Sequence, residues 1–169
     1  MSFAEISPWE LDIKPIALIS KDKMLLTAKA GDRFNSMTVG WGGFGVMWGR
    51  PVVFYAVRPT RFTFALAEEG RAVSFAAFPT SFSGALSYLG THSGREGEKY
   101  SAAGITPIEM PNGGIGFREA SLILTGRRIF SHPMGREDFS DENIEKKWYE
   151  KEPYHTLYAA EIERIYLAE

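Results

Sequence analysis

The chain has 169 residues, contains no cysteine and carries a formal net charge of -2. A chain of this length is expected to fold as one domain, residues 1–169, with a substantial hydrophobic core. The lack of cysteine excludes disulfides, cysteine-ligated zinc, thiolate-ligated iron–sulfur clusters and a thiol nucleophile. The small net charge gives no electrostatic basis for binding nucleic acid or an anionic membrane. No signal-peptide pattern and no apolar run of about 20 residues is seen, so we expect a cytoplasmic protein.

Short β-branched and aromatic runs, separated by turn residues, predict a mainly β protein. The first two runs flank residues 21–23 and predict a hairpin, and residues 31–35 predict a turn. The last run closes the chain as one or two strands. The predicted strands are residues 15–20, 24–28, 36–41, 51–57, 72–76, 120–130 and 156–167.

Helical segments are few and short. Residues 135–153 are polar and charged, which predicts an excursion on the surface. Capping residues and glycines mark the ends of the helices. The predicted helices run from Thr60 to Gly70, from Thr80 or Ser81 through Leu86 towards Gly90, and from residue 98 to Gly104.

This order of elements predicts an antiparallel β-barrel with a few short helices. Six or seven strands with hairpin-like links are typical of such a fold. The strand–helix–strand order of residues 52–76 is compatible with a parallel α/β sheet. The chain contains too few such units to build a doubly wound fold, so we favour the barrel.

The junction between the strand 51–57 and the next helix has the composition of an anion site. Pro59 ends the strand, and Thr60 is the predicted N-cap of the helix. The first turn of a helix has free N–H groups and a partial positive charge. Arg58 and Arg61 stand where acidic residues are normally favoured, and Thr63 adds a hydroxyl. The junction predicts a phosphate site; alternatively, Thr60 only caps the helix and both arginines pair with surface carboxylates.

A glycine-rich segment precedes this junction. Residues 40–45 match G-x-G-x-x-G, the pattern of a dinucleotide-binding turn. The residues that follow, up to Pro51, cannot form a helix of useful length, and Arg58 stands where an acidic residue is expected. We therefore reject a Rossmann site. Glycine and aromatic residues are concentrated between residues 31 and 90, which suits either a planar ligand or the bends and core of a barrel.

Metal and hydrolase motifs are absent from the sequence. His92, His132 and His155 are scattered singly, without H-E-x-x-H spacing, so no metal site is predicted. No G-x-S-x-G elbow is present, so nucleophilic hydrolysis is not favoured.

Several segments, in a fixed order, resemble the flavin reductase family with the FMN-binding split-barrel fold. The resemblance is closest to the flavoredoxin-like branch of that family. It covers most of the chain from about residue 12, and its order and spacing are more specific than any single piece. The segments that carry it are Asn35–Gly42, Trp48–Val53, Val57–Thr63, Leu89–Arg95, Glu98–Tyr100 and Tyr154–Tyr158.

The resemblance implies an antiparallel split β-barrel that holds FMN at a homodimer interface. It assigns the ring and ribityl chain to Asn35, Ser36, Met37 and Thr38. It assigns the phosphate to the segment formed by Arg58, Pro59, Thr60, Arg61, Phe62 and Thr63, completed by Ser93, Gly94 and Lys99. The residues that would wall the ring, unless they are ordinary core or interface residues, are Trp41, Trp48 and His155.

The function implied is that of an FMN-dependent oxidoreductase. NAD(P)H would reduce the flavin, which would pass electrons to free flavin or to an electron-transfer protein. A flavoredoxin-type electron-transfer or flavin-storage protein without significant NAD(P)H activity is the main alternative, and an oxidase of pyridoxamine-phosphate type is a third. Because the hydride chemistry belongs largely to the cofactor, no catalytic side chain is predicted.

Overall fold

This computed structural model describes residues 2–169. They contain ten β-strands and five short α-helices. The helices are α1 (Pro15–Ala17), α2 (Phe62–Glu69), α3 (Ser83–Thr91), α4 (Tyr100–Ala103) and α5 (Glu142–Tyr149). The strands are β1 (Phe3–Ile6), β2 (Met24–Ala30), β3 (Arg33–Val39), β4 (Gly42–Met47), β5 (Arg50–Val57), β6 (Ala72–Ala77), β7 (Pro107–Glu109), β8 (Ile115–Phe117), β9 (Leu122–Pro133) and β10 (Thr156–Ala168).

Eight of the strands form one antiparallel sheet in the order β3-β2-β6-β9-β10-β5-β4. The long strand β10 organises one side of this sheet, because its first half pairs with β5 and its last residues pair with β1. Along its whole length β10 also pairs with β9. The remaining strands, β7 and β8, form a separate two-stranded sheet.

The large sheet surrounds one hydrophobic core. Alternate side chains of its strands point the same way, and those of six different strands meet in a single buried cluster. The opposite face of β2, β6 and β9 packs on a second cluster with α3, α4 and β8. This arrangement confirms the expected mainly β, antiparallel architecture with a few short helices. Representative members of the first cluster are Leu26, Tyr55, Phe75, Leu124 and Tyr158.

The predicted hairpin of residues 15–28 is wrong in its first half. Pro15 starts a helical turn instead of a strand, and residues 18–22 continue it as a π-helical segment. A proline fits the first helical position because its missing N–H would have no partner there. Strand β2 forms as predicted, but its partners are β3 and β6.

Other boundaries also differ from the prediction. The turn before β3 is confined to Gly31 and Asp32, so that Asn35 lies within the strand. The glycine-rich segment, which was expected to allow either a bend or the close approach of a flat ring, forms a strand, β4. Gly90 lies inside α3 and does not follow it. Besides β4, three further strands were not predicted, β1, β7 and β8, and they have only three or four residues each.

Residues 135–153 lie largely on the surface, yet they carry structure. They contain α5, with Asp141 as its N-cap, and a short 3-10 helix, Arg136–Asp138. Tyr149, the last residue of α5, is buried against the rest of the domain. The segment is therefore packed on the rest of the domain near the end of α5.

No helix within residues 2–169 is long and apolar enough to cross a membrane. Within the same residues, no three or more histidine, aspartate or glutamate side chains are grouped so that they could hold a metal ion.

The close pairing of β4 and β5 generates a stability prediction. A Cβ at Gly42, where φ is +155°, would collide with the carbonyl oxygen of Phe54 on the neighbouring strand. We expect Gly42→Ala to lower the free energy of unfolding by about 1–3 kcal/mol in urea denaturation. Gly43→Ala is the matched control, because a Cβ there has nothing within 4 Å. Equal stability of the two variants would contradict the assigned β4–β5 register.

Candidate functional site

Helix α2 begins without a side-chain cap. Arg61 occupies the N-cap position in an extended conformation, with φ of −78° and ψ of 137°. The prediction of Thr60 as N-cap is therefore wrong, and Thr63 is the second residue of the helix. Among the described residues, no acceptor takes the N–H groups of Phe62 and Thr63, and the first turn contains no acidic residue. This helix start is open to an anion.

A cleft, which we call the cation cleft, lies at this helix start. Strand β3 forms one side, α2 another, and the loop after α3 closes it. The sequence-predicted residues that the structure brings together here are Asn35, Ser36, Met37, Thr60, Arg61, Phe62, Thr63, Ser93, Gly94 and Lys99.

Three cationic side chains line the cation cleft without a carboxylate partner. No aspartate or glutamate within residues 2–169 forms an ion pair with Arg61, Arg95 or Lys99. Among the described residues, the one hydrogen bond of the Arg61 guanidinium is a long contact of 3.5 Å to the carbonyl oxygen of Gly90. Arg95 donates to the carbonyl oxygen of Thr60 at 3.3 Å. Like charges gathered in this way repel one another, so the cleft favours a bound anion.

Lys99 is the most buried of these cations, with 5% of its surface exposed. Burial and the nearby Arg61 guanidinium lower its pKa, while Glu96 acts in the opposite direction. The ammonium donates to the carbonyl oxygens of Leu89 at 3.1 Å and His92 at 2.9 Å. Lys99 therefore holds the C-terminal end of α3 and the loop that closes the cleft.

Asn35 connects the sheet to α2. Its Nδ2 donates to Thr63 Oγ1 at 2.8 Å, and both side chains are buried. Because Thr63 Oγ1 accepts this hydrogen bond, the hydroxyl proton of Thr63 stays available to a ligand. Ser36 is fully buried, and its Oγ contacts Thr27 Oγ1 at 2.7 Å and the Tyr100 hydroxyl at 3.1 Å. The hydroxyl of Ser36 is thus occupied by protein contacts.

Two glycines, Gly90 in the last turn of α3 and Gly94 in the loop after it, allow this part of the chain to pack directly on the framework. A Cβ at Gly94 would collide with Asn35 Oδ1 and would lie 2.9 Å from the ring of Phe62. A Cβ at Gly90 would collide with Thr38 Oγ1. Gly94 was predicted as a site residue, whereas Gly90 was taken only as the end of a helix. The backbone itself therefore forms this wall of the cation cleft.

A second cleft, which we call the aromatic cleft, adjoins the first and shares Met37 and Arg61 with it. The ring centroids of Trp41 and His155 lie 4.7 Å apart on its wall. The sequence-predicted residues that line this cleft are Met37, Thr38, Trp41, Arg58, Arg61 and His155.

Arg58 lies in the aromatic cleft and faces the segment of α5. Its guanidinium donates to the carbonyl oxygen of Trp148 at 3.0 Å and forms an ion pair with Glu152 at 2.9 Å. The sequence left two interpretations of the junction, a phosphate site or arginines paired with surface carboxylates. Arg58 does pair with a carboxylate, whereas Arg61 pairs with none in the described part of the chain. The positive charge of Arg58, which the sequence assigned to the phosphate, is therefore already compensated by Glu152.

His155 lies between the aromatic cleft and α5. Its Nδ1 is 2.9 Å from the hydroxyl of Tyr149. Burial, followed by the charges of Arg58 and Arg61, lowers the pKa of His155 to about 4. The imidazole is therefore neutral at pH 7 and can act as a hydrogen-bond donor or acceptor without charge.

Two predicted residues lie elsewhere. Pro59 lines neither cleft, although it precedes residues that do. Trp48, predicted to wall a ring, lies in the β4–β5 turn with its ring 5.9 Å from that of Phe130. It is 60% exposed, so it belongs to the surface.

Sequence reasoning missed Arg95 and the contacts of α5. The signal for Arg95 was its position beside Ser93 and Gly94, in a loop already assigned to the site. The signal for α5 was the aromatic pair Trp148 and Tyr149 within a run of charged residues. Aromatic side chains in such a run indicate a buried face.

Comparison of the sequence with protein-family models finds no match, and comparison with curated proteins finds none. Comparison with solved structures does find similar folds. An FMN-binding protein from Thermus thermophilus has a TM-score of 0.68 at 20% identity, over 87% of this chain and 71% of that one. Flavoredoxin from Methanosarcina acetivorans has a TM-score of 0.69 at 18% identity, over 95% and 73%. An NADH:FAD oxidoreductase from Streptomyces globisporus has a TM-score of 0.66 at 13% identity, over 87% and 75%.

By their names, these solved structures are proteins of the same kind as the family that the sequence resembles. Their sequence identities are low, so the likeness concerns the path of the backbone. The chain has the fold of the FMN-binding, flavin reductase-like proteins, a split barrel of antiparallel strands.

Proposed function

We propose that the chain is a flavin-dependent oxidoreductase that binds FMN across the two clefts. The phosphate would lie in the cation cleft and the isoalloxazine ring in the aromatic cleft. The observation that carries this proposal is the group of three cations at the uncapped start of α2, none of which pairs with a carboxylate within residues 2–169. The FMN-binding proteins with the same fold support the choice of FMN.

The residues present fit the chemistry of the cofactor. A phosphate dianion needs several donors and positive charge, and the cation cleft supplies Arg61, Arg95, the Thr63 hydroxyl and two free N–H groups. A planar ring needs apolar walls, and the adjoining cleft supplies Trp41 and Met37. Since Arg61 lines both clefts, a ligand with a charged end and a planar end can occupy them together.

The chemical step would be supplied by the cofactor, which accepts a hydride and passes electrons on. The protein would fix the orientation of the ring and the charge around it. We propose NAD(P)H as the electron donor and free flavin or an electron-transfer protein as the acceptor. The fold shared with an NADH:FAD oxidoreductase supports this assignment.

The second candidate is a flavoredoxin-type electron-transfer protein that does not oxidise NAD(P)H at a significant rate. The similarity to flavoredoxin from Methanosarcina acetivorans favours it. Both candidates require the same FMN site and differ only in the electron donor.

The phosphate assignment can be tested at Arg61. We expect Arg61→Ala to weaken FMN binding tenfold to a hundredfold, because charge-assisted hydrogen bonds are worth roughly 1.5–3 kcal/mol. Riboflavin lacks the phosphate, so its dissociation constant should change little. Fluorescence titration of the apoprotein with both flavins measures the two constants.

The matched control for this experiment is Arg33→Ala. Arg33 pairs with Glu69 at the opposite end of α2 and lines neither cleft. It should leave the affinities for FMN and riboflavin unchanged. An unchanged FMN affinity in a folded Arg61→Ala protein would show that the phosphate does not bind in the cation cleft.

The electron donor can be tested separately from the cofactor. We expect NADH or NADPH, added without oxygen to the FMN-loaded protein, to bleach the flavin absorption band within minutes. Dithionite serves as the control, because it reduces bound flavin without a nicotinamide site. Bleaching by dithionite alone would replace the reductase assignment with the electron-transfer one.

We further propose a homodimer. The β4–β5 hairpin lies at the edge of the large sheet and exposes Val46, Met47 and Trp48, beside Phe130 of β9. Apolar groups clustered on an exposed sheet edge are typical of an interface.

Sedimentation of the FMN-loaded protein tests this surface. We expect a dimer at micromolar concentration for the unmodified protein and dissociation for Trp48→Lys, because a charge would then be buried in the interface. Trp9→Lys is the control, since Trp9 is equally exposed but lies in a 3-10 helix near the N-terminus. A monomer with FMN bound would contradict the proposal.

A further inference from the structure

The hydroxyl of Tyr149 and the imidazole of His155 join α5 to the aromatic cleft. We propose that Tyr149 is a positioning residue: its O–H donates to His155 Nδ1, and this places the imidazole proton on Nε2, which then donates to a carbonyl oxygen of the isoalloxazine ring. The inference rests on the proposed FMN site. It extends that site to the segment of residues 135–153.

The direction of the hydrogen bond follows from the acceptors around Tyr149. Its hydroxyl lies 2.9 Å from His155 Nδ1 and 3.8 Å from Met134 Sδ. An imidazole nitrogen at the shorter distance is a much better acceptor than a thioether sulfur. The single O–H proton is therefore directed to Nδ1, and the imidazole carries its own proton on Nε2.

Neutrality of His155 is favoured by every charge that faces it. Arg58, the residue after β5, and Arg61, at the start of α2, both disfavour a protonated imidazole, and so does burial. Glu152 forms an ion pair with Arg58 and is not among the groups that shift the pKa of His155. Nε2 has no hydrogen-bond partner in the described part of the chain, and the ring lines the aromatic cleft. A neutral N–H donor is thus left for a ligand in that cleft.

Tyr149 is held rigidly enough to act in this way. It is buried, and the rings of Phe139 and Tyr154 pack on it at 5.3 Å and 4.9 Å. The guanidinium of Arg58 lies 5.8 Å from the centre of its ring. Arg58 also fixes the backbone of the preceding residue, Trp148, through its carbonyl oxygen. The end of α5 is therefore a fixed part of the site.

The consequence is an effect on the flavin redox equilibrium. Negative charge builds up on the ring when it is reduced, and a hydrogen bond to a charged acceptor is roughly twice as strong as one between neutral groups. An N–H donor on a ring carbonyl therefore stabilises reduced FMN more than oxidised FMN. Removing the hydroxyl of Tyr149 allows the imidazole proton to move to Nδ1, and part of this preference is lost.

The test compares Tyr149→Phe with Tyr154→Phe. Both variants remove one hydroxyl from the same aromatic cluster, but the Tyr154 hydroxyl donates to Glu145, whereas the Tyr149 hydroxyl bonds to His155. The first measurement is the ¹⁵N NMR spectrum of the His155 ring at pH 7, which identifies the protonated nitrogen. We expect the proton on Nε2 in the unmodified protein and in Tyr154→Phe, and a mixture of the two tautomers in Tyr149→Phe.

The second measurement is the two-electron midpoint potential of bound FMN, together with the dissociation constant of oxidised FMN. For Tyr149→Phe, we expect reduced FMN to lose threefold to tenfold in affinity relative to oxidised FMN, where tenfold equals about 30 mV. Tyr154→Phe should not shift the potential. In a His155→Phe protein, which has no imidazole, adding Tyr149→Phe should produce no further shift.

The outcomes separate this inference from the proposed function. Failure of the unmodified protein to bind FMN would overturn both. FMN binding combined with a proton on Nδ1, or with equal potentials for Tyr149→Phe and the unmodified protein, would overturn the inference alone. A shift of equal size in the His155→Phe background would also overturn it, because Tyr149 would then act without the imidazole.

Discussion

One buried hydrogen bond holds the candidate site together, that from Asn35 Nδ2 to Thr63 Oγ1. It ties β3 to the first turn of α2, and the backbone of Gly94 packs against the same asparagine. Because the loop after α3 is fixed there, Arg95 and Lys99 come to the helix start that already carries Arg61. A buried amide left without this partner would cost free energy, so the contact sets the position of three separate segments.

The cations around the two clefts fall into two groups, those paired with a carboxylate and those that are not. Arg58 is compensated by Glu152 and serves the packing of α5, whereas Arg61, Arg95 and Lys99 share one cleft that no carboxylate among the described residues lines. The second arrangement destabilises the empty protein through repulsion between like charges. A bound dianion removes that repulsion, so part of its binding energy appears as added stability of the fold.

Local sequence signals located most of this site. The strand before Arg58, the interrupting proline and the missing acidic residues at the helix start are short-range features, and the residues around them do meet in two adjoining clefts. The partner of each arginine is a long-range property that no local pattern contains. Arg58 was assigned to the phosphate because its actual partner, Glu152, lies far along the chain, where no local pattern indicates it. The strand predicted for residues 15–20 was wrong for a different reason, because an apolar run alone does not distinguish strand from helix.

The distribution of charge between the clefts also bears on electron transfer. If FMN binds as proposed, positive charge is concentrated at the phosphate, where it supplies affinity without depending on the redox state. At the ring, Arg58 is compensated and His155 is neutral, so apart from Arg61 the reduced flavin is stabilised by dipoles. Dipolar groups stabilise the added negative charge less than an uncompensated cation would. The reduced flavin is then held tightly but remains a good electron donor, which both the reductase and the flavoredoxin-type function require.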